Sequence, residues 1–270
     1  MIVRTDAVVL RAFDYGETSR IANVLTRSHG VISVIAKGAR RPKSRFGSTL
    51  QPLSHVQVVF YHKPARGLQT LKEAAHVTRF PSLQADLARL PLALRALEIT
   101  RAMLGEGDAH PLALDLLVAA LSVLDLAEAR AANALPWYGL HLAGLLGFAP
   151  DVQRDDVLAL GESGGGLVLD SGAVLPAGTG GIRASRAALR AFAVFARTDL
   201  ETSMRMALDE DTRREVDNLV DAYLRTHSGQ SAERVRAVAH QLDAGLEAAR
   251  RAAGEPPSGP DAEPPQDASG

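Results

Sequence analysis

Apolar and polar residues alternate through the first 80 positions, and from there apolar residues recur every three or four. Five runs rich in aliphatic and β-branched residues occupy the first region: VRTDAVVLRAF (3–13), SRIANVLTRSHG (19–30), VISVIAKG (31–38), HVQVVFYHK (55–63) and LQTLKEAAHVTRF (68–80). Turn residues separate them at Asp14-Tyr15-Gly16, at Gly30 and over Pro64–Gly67, which is the signature of strands joined by tight connections. Five short strands with no helical period between them predict a small antiparallel barrel, closed or partly closed. The five-stranded OB-fold fits that count, and spacing alone leaves an SH3-like barrel open. Alternation predicts that only one of Phe60 and Tyr61 points inward.

From Ser82 the period becomes helical. Leu87, Leu90, Leu94, Leu97 and Leu104 recur at steps of three, four or seven and predict a helix burying one face, with Pro91 marking its start or a kink. LALDLLVAALSVLDLAEA (112–129) is apolar enough for the central helix of a bundle, and LPWYGLHLAGLLGF (135–148) predicts a third helix ending at Gly147 and Pro150. Glycines break the pattern over 156–181 and predict a β-hairpin or loop insert. ASRAALRAFAVFAR (184–197) is again helical. A capping box, Thr212-x-x-Glu215, predicts the start of a helix with Val216, Leu219, Val220, Tyr223 and Leu224 on one face. A last helix is expected over about 232–251. Residues 254–270 hold five prolines, four acids and no cation, the composition of a disordered tail. The expected organisation is α+β: a barrel over 1–80, a mainly helical domain over 81–253 with the glycine-rich insert, and the tail.

Charge changes this picture more than composition does. The chain of 270 residues has a formal net charge of −1, yet residues 1–80 hold thirteen Lys and Arg against four acids, a balance of +9, leaving −10 for the rest. Such asymmetry points to a polyanion-binding surface on the barrel alone. With no cysteine, disulfides, thiolate metal sites and a cysteine nucleophile are excluded. No apolar run approaches the roughly 20 residues of a membrane span, and the N-terminus lacks the features of a secretory signal, so a cytoplasmic protein is expected.

Motifs of enzymes fail one by one. GESGG (161–165) matches the G-x-S-x-G nucleophile elbow around Ser163, but the elbow needs a helix after the turn, and the following GLVLDSGAV carries Gly166 and Gly172. A hydrolase is kept only as the enzyme alternative. Gly161 to Gly166 has phosphate-loop spacing, with Leu167 and Val168 where Lys and Ser or Thr are required. The eight histidines are scattered, with no metal-binding spacing, so no metal or cofactor is expected.

One stretch stands apart. KGARRPKSRFG (37–47) carries Lys37, Arg40, Arg41, Lys43 and Arg45 with no acid. It falls between two expected strands, where barrels present binding surfaces. Six of the twelve aromatics (Phe13, Tyr15, Phe46, Phe60, Tyr61 and Phe80) lie in the same 80 residues. Cations that track phosphates beside rings that stack on bases are what single-strand binding requires. The five cations are therefore the candidate phosphate contacts, Phe46 the candidate stacking ring, and Arg11, Lys63 and Arg66 further candidates on the barrel. Charge alone does not separate DNA from RNA, so an RNA-binding barrel is the alternative.

At these residues the chain resembles a known family. DYGETSRIANVLTRSHGVISVIAKGARRPKSRFGSTLQPLS (14–54) is similar to the N-terminal domain of the RecO recombination mediators of bacterial DNA repair, and LLGFAP (145–150) and YLRTHSGQ (223–230) resemble segments of the family's helical region. The resemblance implies an N-terminal OB-fold joined to a helical domain, no catalytic residues, and binding to single- and double-stranded DNA. It further implies annealing of strands and loading of the recombinase onto DNA coated by single-strand-binding protein. The partners implied are the RecR protein and the C-terminal tail of single-strand-binding protein. Many members carry four zinc-binding cysteines in the insert; here strands around GLVLDSGAVL are expected to hold it instead. Where some relatives place a basic residue for the acidic tail, this chain reads Pro136-Trp137-Tyr138, with Arg130 and Arg101 as candidate substitutes.

Overall fold

The computed structural model describes residues 1–228; the expected helix over 232–251 and the tail over 254–270 lie outside them. Strands β1 (Ile2–Tyr15), β2 (Ser19–Thr26), β3 (Gly30–Ala36), β4 (His55–Tyr61) and β5 (Leu68–Thr78) close into a barrel in the order β1-β2-β3-β5-β4. The expected antiparallel pairing is corrected at one seam: β3 and β5 run parallel, with Ser33, Val34 and Ile35 opposite Leu68, Gln69 and Thr70. This order and closure are those of an OB-fold and remove the SH3-like alternative. β1 can pair with both β2 and β4 because its register shifts between Val9 and Arg11, where a bulge bends the strand. Alternation sends Ala7, Val9, Ala22, Val24, Val34, Val56, Val58 and Phe60 into the barrel interior. Phe60 is buried and Tyr61 exposed, as alternation predicts.

The outer side of the barrel meets the helices. Val8, Leu10, Leu25, Val31 and Leu53 share one apolar core with them. Arg27, in the β2–β3 turn, pairs with Asp115. The backbone N–H of Gly107 donates to Val31 O at 2.9 Å. Gly30 turns there at φ +61°, and a Cβ on it would lie 1.9 Å from Asp108 O, so only glycine fits this approach.

His55 is buried at this junction with both ring nitrogens lacking a hydrogen-bond partner among the described residues. Burial pushes its pKa down, and Asp6, Arg27 and Asp115 are the charged groups that act on it. A folded-state pKa below the unfolded value means that the unfolded chain binds the extra proton. The stabilisation is therefore complete above the unfolded value of about 6.5 and is lost as pH falls below it, by up to about 1.4 kcal/mol per pH unit. Thermal melts from pH 7.5 to 5.5 should show falling stability. Because burial also lowers His29, His76 and His141, the deciding comparison is His55→Gln, which should flatten the fall; an unaltered profile would remove His55 from the account.

The helical region comprises α1 (Pro81–Ala85), α2 (Arg89–Met103), α3 (Pro111–Leu126), α4 (Ala134–Leu145), α5 (Arg154–Leu158), α6 (Arg186–Arg197), α7 (Leu200–Arg205) and α8 (210–228). α3 is the central helix, burying Ala113, Leu114, Leu117, Ala120, Leu121 and Leu124. Pro91 sits in the first turn of α2, where its missing N–H costs no intrahelical bond. The leucine stripe is corrected. Leu87 is 87% exposed and Leu94 is also exposed, while α2 buries Ala93, Ala96, Leu97, Ile99, Thr100 and Met103. Leu87 precedes the start of α2 at Arg89, and alanines form much of the buried face. No helix among the described residues is long and apolar enough to cross a membrane.

Two further expectations are refined. The cap of α8 is Asp209, whose Oδ1 accepts from Thr212 N–H at 2.8 Å, while Glu215 accepts from the Ser185 N–H at 2.7 Å instead of closing a capping box. The insert is a three-stranded antiparallel sheet, β7 (Val174–Pro176), β6 (Gly165–Leu167) and β8 (Ile182–Ala184), with Leu167 and Val174 in the main core. Ser163 lies in the turn that leads into β6, so the strand-turn-helix of a nucleophile elbow is not formed. A Cβ on Gly166 would lie 1.9 Å from Gly180 O; here the glycine serves close strand packing.

Candidate nucleic-acid interface

The strand registers lay out a continuous outward row across the barrel. Phe13 on β1 stands opposite Ile21 on β2, Ile21 opposite Ile35 on β3, Ile35 opposite Thr70 on β5, and Thr70 opposite Tyr61 on β4. Their sequence neighbours Ala12, Ala22, Val34, Leu71 and Phe60 face the interior, so this row lies on the outer side of the barrel, where Ile21 is itself buried and Ile35 and Thr70 are half-buried. Phe13 is 41% and Tyr61 43% exposed. The rings thus stand at the two ends of a band whose middle is aliphatic. A second row, Arg11, Asn23, Ser33 and Leu68, runs alongside, with Asn23 Nδ2 donating to Ser33 Oγ at 2.7 Å. Arg11 lies over the Phe13 ring, 5.7 Å from its centroid, so cation and ring occupy one patch.

Lys63 and Arg66 flank the Tyr61 end. Gln69, at the start of β5, is buried against the β4–β5 loop, where its amide accepts from Lys63 N–H at 2.8 Å and donates to the Lys63 carbonyl at 3.1 Å and to the Arg66 carbonyl. The loop is held against β5, and Tyr61, Lys63, Arg66, Leu68 and Thr70 line a cleft of about 260 Å³. His62 and His29 meet at a tilt of 48° with ring centroids 4.6 Å apart. Burial, and then the neighbouring His62, hold the His29 pKa down, so His29 adds no charge at neutral pH.

The basic stretch divides into parts with different roles. Lys37 continues the outward positions of β3 after Ser33 and Ile35, and Lys37, Arg41 and Lys43 are exposed. Arg40 is committed to structure: its guanidinium donates to Gly16 O at 3.0 Å and Glu17 O at 3.2 Å and pairs with Asp14 at 3.0 Å. Arg20 pairs with the same carboxylate at 2.9 Å. Arg40 therefore ties the loop to the β1–β2 turn. Arg45 lies 5.2 Å from the Phe46 centroid.

Phe46 corrects the sequence expectation. It is only 2% exposed and packs with Leu50 in the barrel core, next to a short 3-10 turn over Gly47–Leu50, so its ring cannot stack on a base. The exposed rings are Phe13, Tyr15 and Tyr61. Their signal was present in β1, where Arg11, Phe13 and Tyr15 alternate with inward Ala12. It was masked by the bulge, which shifts the inward set within the strand.

Residues 1–80 match the family described as Recombination protein O N terminal, and 84–236 match Recombination protein O C terminal. The chain belongs to the RecO family. It is 50% identical over 246 residues to DNA repair protein RecO of Salinibacter ruber, covering 90% of this chain and 95% of that one. It is 30% identical over 243 residues to DNA repair protein RecO of Chloroherpeton thalassium, covering 84% and 93%. The interval between the two family matches, 81–83, falls at the start of α1. The RecO N-terminal part is therefore the barrel with its outward band, and the C-terminal part the helices with the three-stranded insert.

Proposed function

We propose that this chain is a non-enzymatic recombination mediator that works in the cytoplasm, binds single- and double-stranded DNA, and anneals complementary strands. It helps load the recombinase onto DNA coated by single-strand-binding protein. The observation that carries the DNA-binding reading is the outward band with exposed Phe13 and Tyr61 at its ends and Arg11, Lys63, Arg66 and Lys37 at its flanks. Rings of this kind offer a stacking surface to unpaired bases, and the cations track the phosphates. The helical part, with its excess of acids, repels phosphate and is left for protein partners: RecR and the C-terminal tail of single-strand-binding protein.

Anisotropy titrations with single-stranded DNA, duplex DNA and RNA of equal length test the reading. Tightest binding to single-stranded DNA is expected; clear preference for RNA would transfer the chain to the RNA-binding alternative. A triple variant tests the basic loop. Lys37, Arg41 and Lys43 changed together to Ala should remove about two units from the slope of log K against log salt on a single strand. The loss should be similar for every base sequence, because phosphate contacts carry no base information. Arg40 is kept in that variant because it pins the β1–β2 turn. A folded triple variant with the parent's slope would leave the loop without a role in binding.

A further inference from the structure

A pocket of about 200 Å³ opens between the 3-10 turn over Gly47–Leu50, the end of β5 and the start of α1. The outward band crosses β5 at Thr70, whereas the pocket meets that strand at His76 and Thr78. At about 3.3 Å per residue this sets the pocket roughly 20 Å along the strand from the band. Its inner wall is fixed. Leu53 and Phe80 belong to the core shared with the helices, and Ser48 O accepts from Gln51 N–H and from Ser54 Oγ, both at 3.3 Å. Ser48, Gln51, Thr78, Arg79 and Gln84 line the rest, and each of these side chains carries a hydrogen-bond donor. Among the described residues, the side chains of Gln51, Thr78, Arg79 and Gln84 have no hydrogen-bond or ion-pair partner. No carboxylate lines the pocket, and the acids nearest to it in sequence, Glu73 and Asp86, pair with Lys72 and Arg89. Ser48 Oγ lies 3.1 Å from His76 Nε2. Burial, and then Arg79, hold the His76 pKa down, so at neutral pH the charge of the pocket is that of Arg79.

We propose that this pocket binds a terminal phosphate, a monoester whose three free oxygens take several donors at once. Arg79 holds two of the oxygens in a charge-assisted fork, and the hydroxyls of Ser48 and Thr78 and the amides of Gln51 and Gln84 supply the remaining donors. A carboxylate offers only two oxygens and leaves most of these donors unpaired. An internal phosphodiester carries a sugar on either side, which a recess of this size excludes. Two sources present the same group: the phosphorylated end of a nucleic-acid strand, and a free mononucleotide. The inference goes beyond the outward-band reading, because it uses none of the band's residues and no stacking.

The test uses the full chain in phosphate-free buffer and two probes. One is a single strand with fluorescein on its 3′ end, with or without a 5′-phosphate. The other is deoxyadenosine monophosphate, followed by the broadening of its phosphorus resonance. The phosphorylated strand should bind about tenfold tighter than its unphosphorylated twin, as one charge-assisted contact provides. Arg79→Gln, and independently Gln84→Glu, which sets a carboxylate in the pocket, should each erase that advantage. Affinity of Arg79→Gln for the unphosphorylated strand and its melting temperature should stay at parental values. Saturable broadening that Arg79→Gln abolishes, without any preference between the strands, would also support the pocket and make the free nucleotide its source. Absence of both effects, or survival of either in a folded variant, would overturn the proposal. So would an equal loss by Arg79→Gln on both strands, which would make Arg79 an ordinary backbone contact. Phe13→Ala with Tyr61→Ala should weaken both strands alike and keep the preference between them, so the band and the pocket fail separately.

Discussion

Replacing Phe46 by Ala is expected to destabilise the protein by about 3–5 kcal/mol, the range for emptying a buried phenylalanine site. The ring shares an interior with Ala7, Ala22, Val34, Ala36 and Phe60. Several of those neighbours are alanines held in a closed barrel, so they cannot expand into the vacated space, and the cavity term should be paid nearly in full. For a chain of this size the melting temperature should drop by roughly 10 °C. Phe46→Leu, which keeps most of the volume, should lose much less. Below its transition the Ala variant should bind single-stranded DNA as the parent does, because the ring does not reach the surface. A variant that melts at the parental temperature and binds the strand weakly would return Phe46 to the interface.

Phe13→Ala combined with Tyr61→Ala should have the largest effect on binding. Stacking is worth about 1–3 kcal/mol per base, so losing both rings should weaken single-strand affinity at least about thirtyfold. Duplex affinity should change little, since paired bases are already stacked and meet the protein through phosphates. Stability should shift by no more than about half a kcal/mol per site, as for other exposed positions. The salt slope should stay at the parental value, because rings displace no counterions. Ring and cation variants therefore separate: one lowers affinity at every salt concentration, the other flattens the slope. Equal losses on duplex and single strand, or no loss at all, would remove the outward band from the single-strand account.

The strands were legible because a half-buried strand writes its two faces into consecutive residues. β2 and β3 follow their alternation, with Ala22, Val24 and Val34 inside. The basic stretch was legible as a concentration of charge, but its division was not. Arg40 spends its guanidinium on Gly16, 24 positions earlier, and no local pattern marks a loop arginine as a tether. The burial of Phe46 is hidden for the same reason: loop residues have no period, so nothing near it in sequence says whether its ring faces water or the core. The α2 stripe misled because leucine signals burial more strongly than alanine, while the close-packed face of α2 is built on Ala93 and Ala96.

Period and turn residues by themselves determined five barrel strands, a following helical region, a glycine-rich insert and the segregation of positive charge onto the barrel. These are properties of short windows, in which each residue's preference and its neighbours' spacing act within a few positions. Tertiary structure alone decided the parallel seam between β3 and β5 and the row from Phe13 to Tyr61. It also decided the burial of Phe46 and the pocket between the 3-10 turn and the end of β5. Each depends on which distant strand or helix is brought alongside, and that choice is made by closing the barrel and filling its core, where the free energy of one side chain depends on partners tens of residues away.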